Sequence, residues 1–316
     1  MEQQINEVTL EVTNRCTNNC IFCSSSSIND NSEDMSIQDC FKVLREVVAR
    51  KEHCEVHLSG GEPLLHEGIY SLISLFSTNS KGISLYTTGI GIDYTKMRTT
   101  DYRDTKLVFN FQSSYEGAHN KLCGNNSWVQ TKNSMQNAIS DGFKNVEVHI
   151  IPNKINLHTL EDTVYFLNDI KVSKISFLKL VYQGRAVENW NLLKLDTEDQ
   201  RYLYTLFQRL KNLKMNATEL RFGIPFSRGG KTCNSGVNKL LIRCNGRIYP
   251  CEAFKNDILM NIGHIDEQDS FLFAQKRASD LCILNKAKES VNNFESCAAQ
   301  MCPSFNNIDD FQGILI

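Results

Sequence analysis

The chain has 316 residues, long enough to bury one large core with a smaller unit beside it. Its 34 Lys and Arg against 36 Asp and Glu leave a net charge of -2, which excludes the broad basic field a nucleic-acid binder would use. No signal peptide or apolar run of membrane length is legible, and the 12 Cys gather toward the two ends at metal-like spacing. Reduced thiols in a cytoplasmic enzyme are therefore expected, rather than the disulfides of an exported scaffold.

In chain order, Glu7 to Thr13 alternates apolar and polar residues and predicts a strand, followed by the loop Arg15-Cys16-Thr17-Asn18-Asn19-Cys20-Ile21-Phe22-Cys23. Three thiolates on one loop select zinc or an iron-sulfur cluster over hard cations. A tetrahedral zinc or a fully ligated cubane needs a fourth ligand, and none follows closely. That leaves a remote fourth ligand or a cubane with one iron open, with a structural zinc loop as the plain alternative. Ser36 predicts a helix cap, with Asp39 at the capping-box position and the helix running to about Arg50. Phe41, Leu44, Val47 and Val48 are its expected buried stripe, and Cys40 reads as a core thiol. Glu55 to Ser59 predicts a second strand, ending in Ser59-Gly60-Gly61-Glu62-Pro63, where paired glycines permit close approach of a ligand.

The CxxxCxxC spacing with Phe22 before its third Cys, followed about forty residues later by Gly60-Gly61-Glu62, resembles the radical S-adenosylmethionine (radical SAM) enzymes. The resemblance implies that Cys16, Cys20 and Cys23 bind a [4Fe-4S] cluster whose open iron is chelated by S-adenosylmethionine. It implies one-electron cleavage of that cofactor to methionine and a 5′-deoxyadenosyl radical, which abstracts substrate hydrogen. Gly60, Gly61 and Glu62 would face the cofactor's amino group, with Phe22 beside it. An electron donor such as flavodoxin or ferredoxin is implied as a partner.

The alternation continues with a helix over Ile69 to Phe76, a strand over Gly82 to Tyr86 ending in Thr87-Thr88-Gly89, and a strand over Leu107 to Phe111. The run Phe111 to Asn120 resembles the family segment after the fourth strand, which assigns Ser113, with Gln112 beside it, to the cofactor ribose; Thr88 joins the cofactor set. A helix over Asn133 to Ile139, a strand over Val146 to Ile151, a helix over Leu157 to Asn168 and a strand over Lys174 to Leu180 follow. His149 reads as a core or cleft residue within its strand. Strands joined by helices bury both faces of a parallel sheet. The fold class expected is α/β, and the resemblance implies a partial (β/α)6 TIM-type barrel over residues 1–215, with its chemistry at the strands' C-terminal ends. Arg185, after the sixth strand, suits either a carboxylate of cofactor or substrate, or plain solvent. A helix over Thr197 to Lys211 buries Leu203, Leu206, Phe207 and Leu210.

Residues 216–316 differ in texture. Cys233, Cys244 and Cys251 bracket the segment Lys239 to Arg243, the turn Asn245-Gly246 and the strand Arg247 to Tyr249, a strong hairpin signal. A strand-like Asn261 to Ile265 and a helical stretch from Phe271 to Ser290 lead to Cys297 and Cys302. So small a unit would gain stability from a metal centre, and spacing alone also permits zinc. The tail resembles the SPASM and Twitch extensions, in which Gly-x4-Cys, here Gly246 to Cys251, supplies an auxiliary [4Fe-4S] cluster. A full SPASM extension carries seven Cys; only Cys233, Cys244, Cys251, Cys282, Cys297 and Cys302 occur here. The shorter Twitch form is therefore implied, with one cluster on Cys233, Cys251, Cys297 and Cys302, Cys244 as a substitute ligand, and Cys282 in a core.

The implied activity is hydrogen abstraction from a peptide or protein, giving oxidation, cross-linking or epimerisation. A radical SAM oxidoreductase of a small molecule such as an aminosugar or nucleotide is the alternative, and a non-catalytic metal scaffold the remote one. Cys123 or Cys244 would be the thiol donor that an epimerisation requires. No leader-gripping module is read before Thr9, so a separate protein would serve that role or the substrate would need no leader. No membrane contact is expected.

Overall fold

The computed structural model describes residues 5–28, 34–50, 53–97, 104–213, 215, 218–222 and 235–280. Cys233, Cys282, Cys297 and Cys302 lie outside them. Strands β1 (Glu7–Thr13), β2 (Glu55–Gly60), β3 (Gly82–Thr87), β4 (Lys106–Asn110), β5 (Val146–Ile150), β6 (Lys174–Phe177) and β7 (Glu219–Phe222) run parallel in consecutive order. Helices α1 (Ile37–Val48), α2 (Ile69–Asn79), α3 (Tyr94–Met97), α4 (Glu116–Cys123), α5 (Trp128–Ser140) and α6 (Leu160–Asp169) occupy the crossovers up to β6. Helices α7 (Arg185–Glu188), α8 (Trp190–Leu193) and α9 (Thr197–Lys211) precede β7, and α10 (Ser270–Asp280) follows the last strands.

This is a mixed α/β fold built on a partial-barrel-like sheet. Sequential parallel pairing follows from the crossover helices, which return the chain to the same end of the sheet each time. Alternation along the strands divides the two faces. Val8, Leu10, Val12, Val56, Leu58, Ile83, Leu85, Leu107 and Phe109 join Val43, Val47, Ile73 and Phe76 of the helices in one core. The opposite face carries Thr9, Glu11, His57, Tyr86, Asn110, His149 and Ser176.

The hairpin of β8 (Lys239–Ile242) and β9 (Arg247–Tyr249) is not a separate small sheet. β8 pairs in parallel with β1, and β10 (Gly263–His264) pairs with β9, giving the order β10-β9-β8-β1-β2-β3-β4-β5-β6-β7. Leu240, Leu241, Ile242 and Ile248 are consequently buried in the common core, which supplies the burial the hairpin lacks alone. The turn is as expected, with Gly246 at φ 77°.

Three local expectations need correction. In α1 the buried residues include Cys40, Val43, Leu44 and Val47, while Phe41 and Val48 face solvent. The apolar residues of that helix span more than one stripe, and the packed one contains Cys40. Helix α4 and strand β7 were not expected; α4 has weak amphipathic patterning, and Glu-Leu-Arg-Phe reads as polar until it is paired with β6. The sixth strand stops at Phe177 rather than Leu180.

Candidate functional site

The cysteine loop leaves the C-terminal end of β1, and three separate parts of the chain hold it. From α4, Asn19 N–H donates to Cys123 O and Ile21 N–H to Leu122 O, both at 3.0 Å. From the first residue of α7, Arg185 donates its Nε–H to Cys20 O and its Nη1–H to Ser27 O, both at 2.8 Å, and its backbone N–H to Cys23 O at 3.0 Å. From the segment after Cys251, Lys255 Nζ donates to Ser25 Oγ and Asn256 Nδ2 to Ser24 O. Cys16 and Cys20 are buried and Cys23 is partly so.

Burial pushes the Cys16 thiol up to about 12. The Cys20 thiol is raised by its contact with the Cys123 thiol and then by burial. Among the described residues, no three His, Cys, Asp or Glu side chains converge as a single metal ion would require. A lone zinc needs its sulfurs in one shell about 2.3 Å from one point, whereas a cubane asks one thiolate of each of three irons. Three thiols on one loop are a soft donor set of the kind an iron-sulfur cluster takes.

Gly60 and Gly61 press the end of β2 onto the root of this loop. Gly61 N–H donates to Thr13 O at 2.8 Å and Glu62 N–H to Arg15 O at 2.7 Å. A Cβ on Gly60, which lies at φ 140°, would meet Thr13 O at 2.2 Å, and one on Gly61 would meet Arg15 O at 2.1 Å. Only glycine leaves room there.

The Glu62 side chain does not present a free carboxylate. Its Oε1 accepts from Leu64 N–H at 3.1 Å and Thr87 Oγ1 at 2.7 Å; its Oε2 accepts from Thr88 N–H and Thr88 Oγ1, both at 2.7 Å. Those four bonds fill a carboxylate's usual acceptor capacity. Burial raises its pKa, against the pull of the Thr88 and Thr87 hydrogen bonds. Glu62 and Thr88 thus brace the ends of β2 and β3 against each other.

Gln112 and Ser113, expected at a ribose, are both fully buried with protein partners. Gln112 Oε1 accepts from Ile151 N–H at 2.9 Å, and its Nε2 donates to His149 O at 3.2 Å. Ser113 Oγ pairs with Thr159 Oγ1 at 2.8 Å and accepts from Tyr115 N–H at 3.0 Å. These bonds join β4 to the end of β5 and to the start of α6, a bracing role that residue type alone does not reveal. The side chain here that reaches the cysteine loop is Asn110, whose Nδ2 lies 3.9 Å from Cys20 Sγ. Its legible signal is its place as the last residue of β4, in phase with Val108 on the face away from the helices.

Phe22 packs with Leu122, Cys123, Leu180, Ala186 and Leu193 in a satellite apolar cluster beneath the loop. Cys123 is buried against Cys20, with its Sγ 3.4 Å from His119 Nε2. His119 Nδ1 accepts from Gln112 N–H, so Nε2 carries the ring proton, and burial lowers this imidazole to about 4. Cys244 and Cys251 are half-buried in the hairpin region, and burial raises the Cys244 thiol. On the helix-free face, His57, Tyr86 and His149 form a row with ring centroids 5.4 Å apart at each step.

The strand ends also carry polar atoms that the protein leaves unsatisfied. Thr17 Oγ1 in the loop, Ser176 Oγ on β6 and Gln183 Oε1 after it are buried without hydrogen-bond partners among the described residues.

Residues 10–167 match the Radical SAM superfamily. The chain belongs to that superfamily. The mycofactocin maturase MftC of Mycolicibacterium smegmatis is 23% identical over 256 residues, covering 77% of this chain and 63% of the relative. The PqqA peptide cyclase of Bradyrhizobium diazoefficiens is 23% identical over 256 residues, covering 78% and 66%. This radical SAM chain therefore spans just under two thirds of the length of either relative. Streptococcus suis SuiB bound to precursor peptide SuiA superposes over 96% of this chain and 70% of that one, with a TM-score of 0.69 at 17% identity, which shows a shared fold. Among the described residues no helix is long and apolar enough to cross a membrane.

Proposed function

We propose that this chain is a radical SAM enzyme that oxidises or cross-links a peptide. The observation that carries the reading is the triply anchored cysteine loop at the end of β1, inside the stretch that matches the superfamily. The peptide substrate is supported by the relatives: a maturase, a peptide cyclase, and SuiB bound to its precursor peptide.

Cys16, Cys20 and Cys23 would hold a [4Fe-4S] cluster with one iron open to S-adenosylmethionine. The polar contacts to that cofactor would come from the backbone around Gly60 to Glu62 and from Thr17, Ser176 and Gln183, whose buried polar atoms lack partners among the described residues. Once bound, the cluster and cofactor supply one-electron cleavage and removal of a carbon-bound hydrogen from the substrate. The chain's own residues position this chemistry. Gly60 and Gly61 set the root of the loop, and the Glu62 carboxylate locks the neighbouring strand ends. The burial of Cys16 and Cys20 keeps water from the sulfurs.

On this reading β1 to β6 are the six units of a (β/α)6 partial barrel, and residues 1–215 and 216–316 divide the labour. Cys251 would join Cys233, Cys297 and Cys302 on one auxiliary [4Fe-4S] cluster, which would accept the electron that substrate oxidation releases. Flavodoxin or ferredoxin would supply the electron that starts the reaction. The decisive test is an anaerobic reaction of the reconstituted protein with candidate peptides, read by mass. The expected product is lighter by two hydrogens and forms with stoichiometric 5′-deoxyadenosine. Cofactor cleavage triggered only by a small metabolite would refute the peptide substrate. Undiminished 5′-deoxyadenosine from a variant with Cys16, Cys20 and Cys23 all changed to Ala would refute the radical SAM assignment of the loop.

A further inference from the structure

Arg185 opens α7, and its side chain folds back onto the cysteine loop. Its guanidinium bonds Cys20 O and Ser27 O, and its backbone N–H bonds Cys23 O, so one residue ties three points of an irregular loop. The residue before it is fitted to the same surface. Gly184 lies at φ 58°, and a Cβ there would meet Cys23 O at 2.4 Å and Ser24 O at 2.6 Å. Backbone and side chain at 184–185 therefore press on the loop together.

What Arg185 lacks is an anion. Arg15, Arg50, Arg209 and Arg243 each pair with a carboxylate at 2.5–3.2 Å, whereas no ion pair joins Arg185 to any Asp or Glu among the described residues. A guanidinium stays charged at any working pH, and a half-buried cation bonded only to neutral carbonyls has lost water without gaining a counter-charge. The loop it grips holds three thiols whose iron-ligating form is anionic.

We propose that Arg185 is a positioning residue that clamps the Cys16–Cys23 loop and acts as the counter-cation of the thiolate-ligated cluster. The proposal rests on the radical SAM reading of those three Cys. A fixed cation favours the more negative, reduced state of a cluster, and hydrogen bonds and net charge around the sulfurs set cluster potential. Removing the charge should make reduction harder, and removing the fork should loosen the loop. The two effects separate in two variants. Arg185→Gln loses both, while Arg185→Lys keeps a cation but cannot span two carbonyls in a planar fork.

The test uses the full chain, reconstituted anaerobically as wild type, Arg185→Lys and Arg185→Gln, with far-UV circular dichroism to compare folding. The cluster whose EPR signal changes on adding S-adenosylmethionine is followed in a redox titration, and iron release to a chelator is timed. The expected result for Arg185→Gln is a more negative potential and iron release roughly tenfold faster, the lower end of what loss of an outer contact costs a metal site. Arg185→Lys should hold the potential near wild type while still releasing iron faster. Unchanged potential and iron release in a folded Arg185→Gln protein overturn the proposal. If that variant does not fold, wild-type iron release from Arg185→Lys overturns it instead. A wild type that takes up no cluster at all defeats the parent reading, and the counter-cation role with it.

Discussion

Replacing Lys255 with Met tests how the hairpin region is joined to the rest of the sheet. Lys255 Nζ lies 2.7 Å from Glu11 Oε1, with side-chain exposures of 6% and 4%, and the ammonium also reaches Ser25 Oγ in the cysteine loop. Arg243 supports the same carboxylate through Oε2 at 3.2 Å and donates to Lys255 O at 3.2 Å. Lys255→Met preserves chain length and packing but leaves Glu11 buried with one cation instead of two. Removing one partner of a buried pair costs about 3–5 kcal/mol, and the remaining Arg243 contact places this variant near the lower figure, about 3 kcal/mol. The double variant Glu11→Gln with Lys255→Met removes both charges and should recover at least about 1 kcal/mol relative to the sum of the single changes. Anaerobic urea unfolding of the metal-free protein measures both quantities. A Lys255→Met cost below about 1 kcal/mol, the range of an exposed pair, would refute the claim that this bridge holds the hairpin region to β1.

Gly60→Ala and Gly61→Ala should each block cluster uptake, because the added methyl would overlap Thr13 O or Arg15 O; full iron incorporation by either variant contradicts the packing argument. Glu62→Gln replaces an acceptor by a donor facing Thr87 and Thr88 and should cost about 1–3 kcal/mol in thermal or urea unfolding, with an unchanged midpoint as the contrary result. Burial holds His149 at about 3 and His119 at about 4, both below the unfolded value of 6.5. The unfolded chain therefore takes up protons first as pH falls, and stability drops from about pH 6.5 downward by up to about 1.4 kcal/mol per pH unit for each group. Glu252 adds to the loss only lower. Burial alone would raise it, but the Lys239 ammonium at 3.1 Å prevails and holds it at about 2, so its contribution fades between about pH 4.5 and 2. His149→Asn should flatten the acid limb between pH 6 and 4, and an unaltered slope would contradict the assignment.

The elements legible in the sequence were those whose signals are local. α9 begins after Asp196, which caps it by accepting from Glu198 and Asp199 N–H groups, and Leu203, Leu206, Phe207 and Leu210 recur at helical spacing on its buried side. The Asn245-Gly246 turn declares the hairpin for a similar reason, since its geometry needs only its own residues. The pairing of β8 with β1 joins Leu240 to Val8 across most of the chain, and no local pattern announces it. The same limit governs the site. Cys16, Cys20, Cys23, Gly60 and Gly61 are recognisable because spacing and residue type carry their chemistry. Whether Glu62, Gln112 or Ser113 has a polar atom to spare depends on Thr88, Ile151 and Thr159, which lie elsewhere in the sequence and meet them only in the fold. Arg185 was recognisable as a cation that binds oxygen, but its targets, Cys20 O and Ser27 O, lie more than 150 residues away.

The distribution of anchors gives the hairpin region a part in shaping the cysteine loop. The loop from Arg15 to Ser27 is mostly polar and contributes no residue to the main core, only Cys20 and Phe22 to the satellite cluster, so its own burial cannot fix its shape. A site that must hold reacting groups to a fraction of an ångström needs that shape imposed from outside. α4 grips one stretch, Arg185 another, and Lys255 with Asn256 the part just after Cys23. The last of these contacts comes from Lys255 and Asn256, a short way after Cys251 on a segment pinned to β1 through Thr9 with Glu252 and Glu11 with Lys255. A shift of that segment is therefore felt at Ser24 and Ser25, just after Cys23, through the Asn256 and Lys255 hydrogen bonds, while the Glu11 ion pair ties the same lysine to β1.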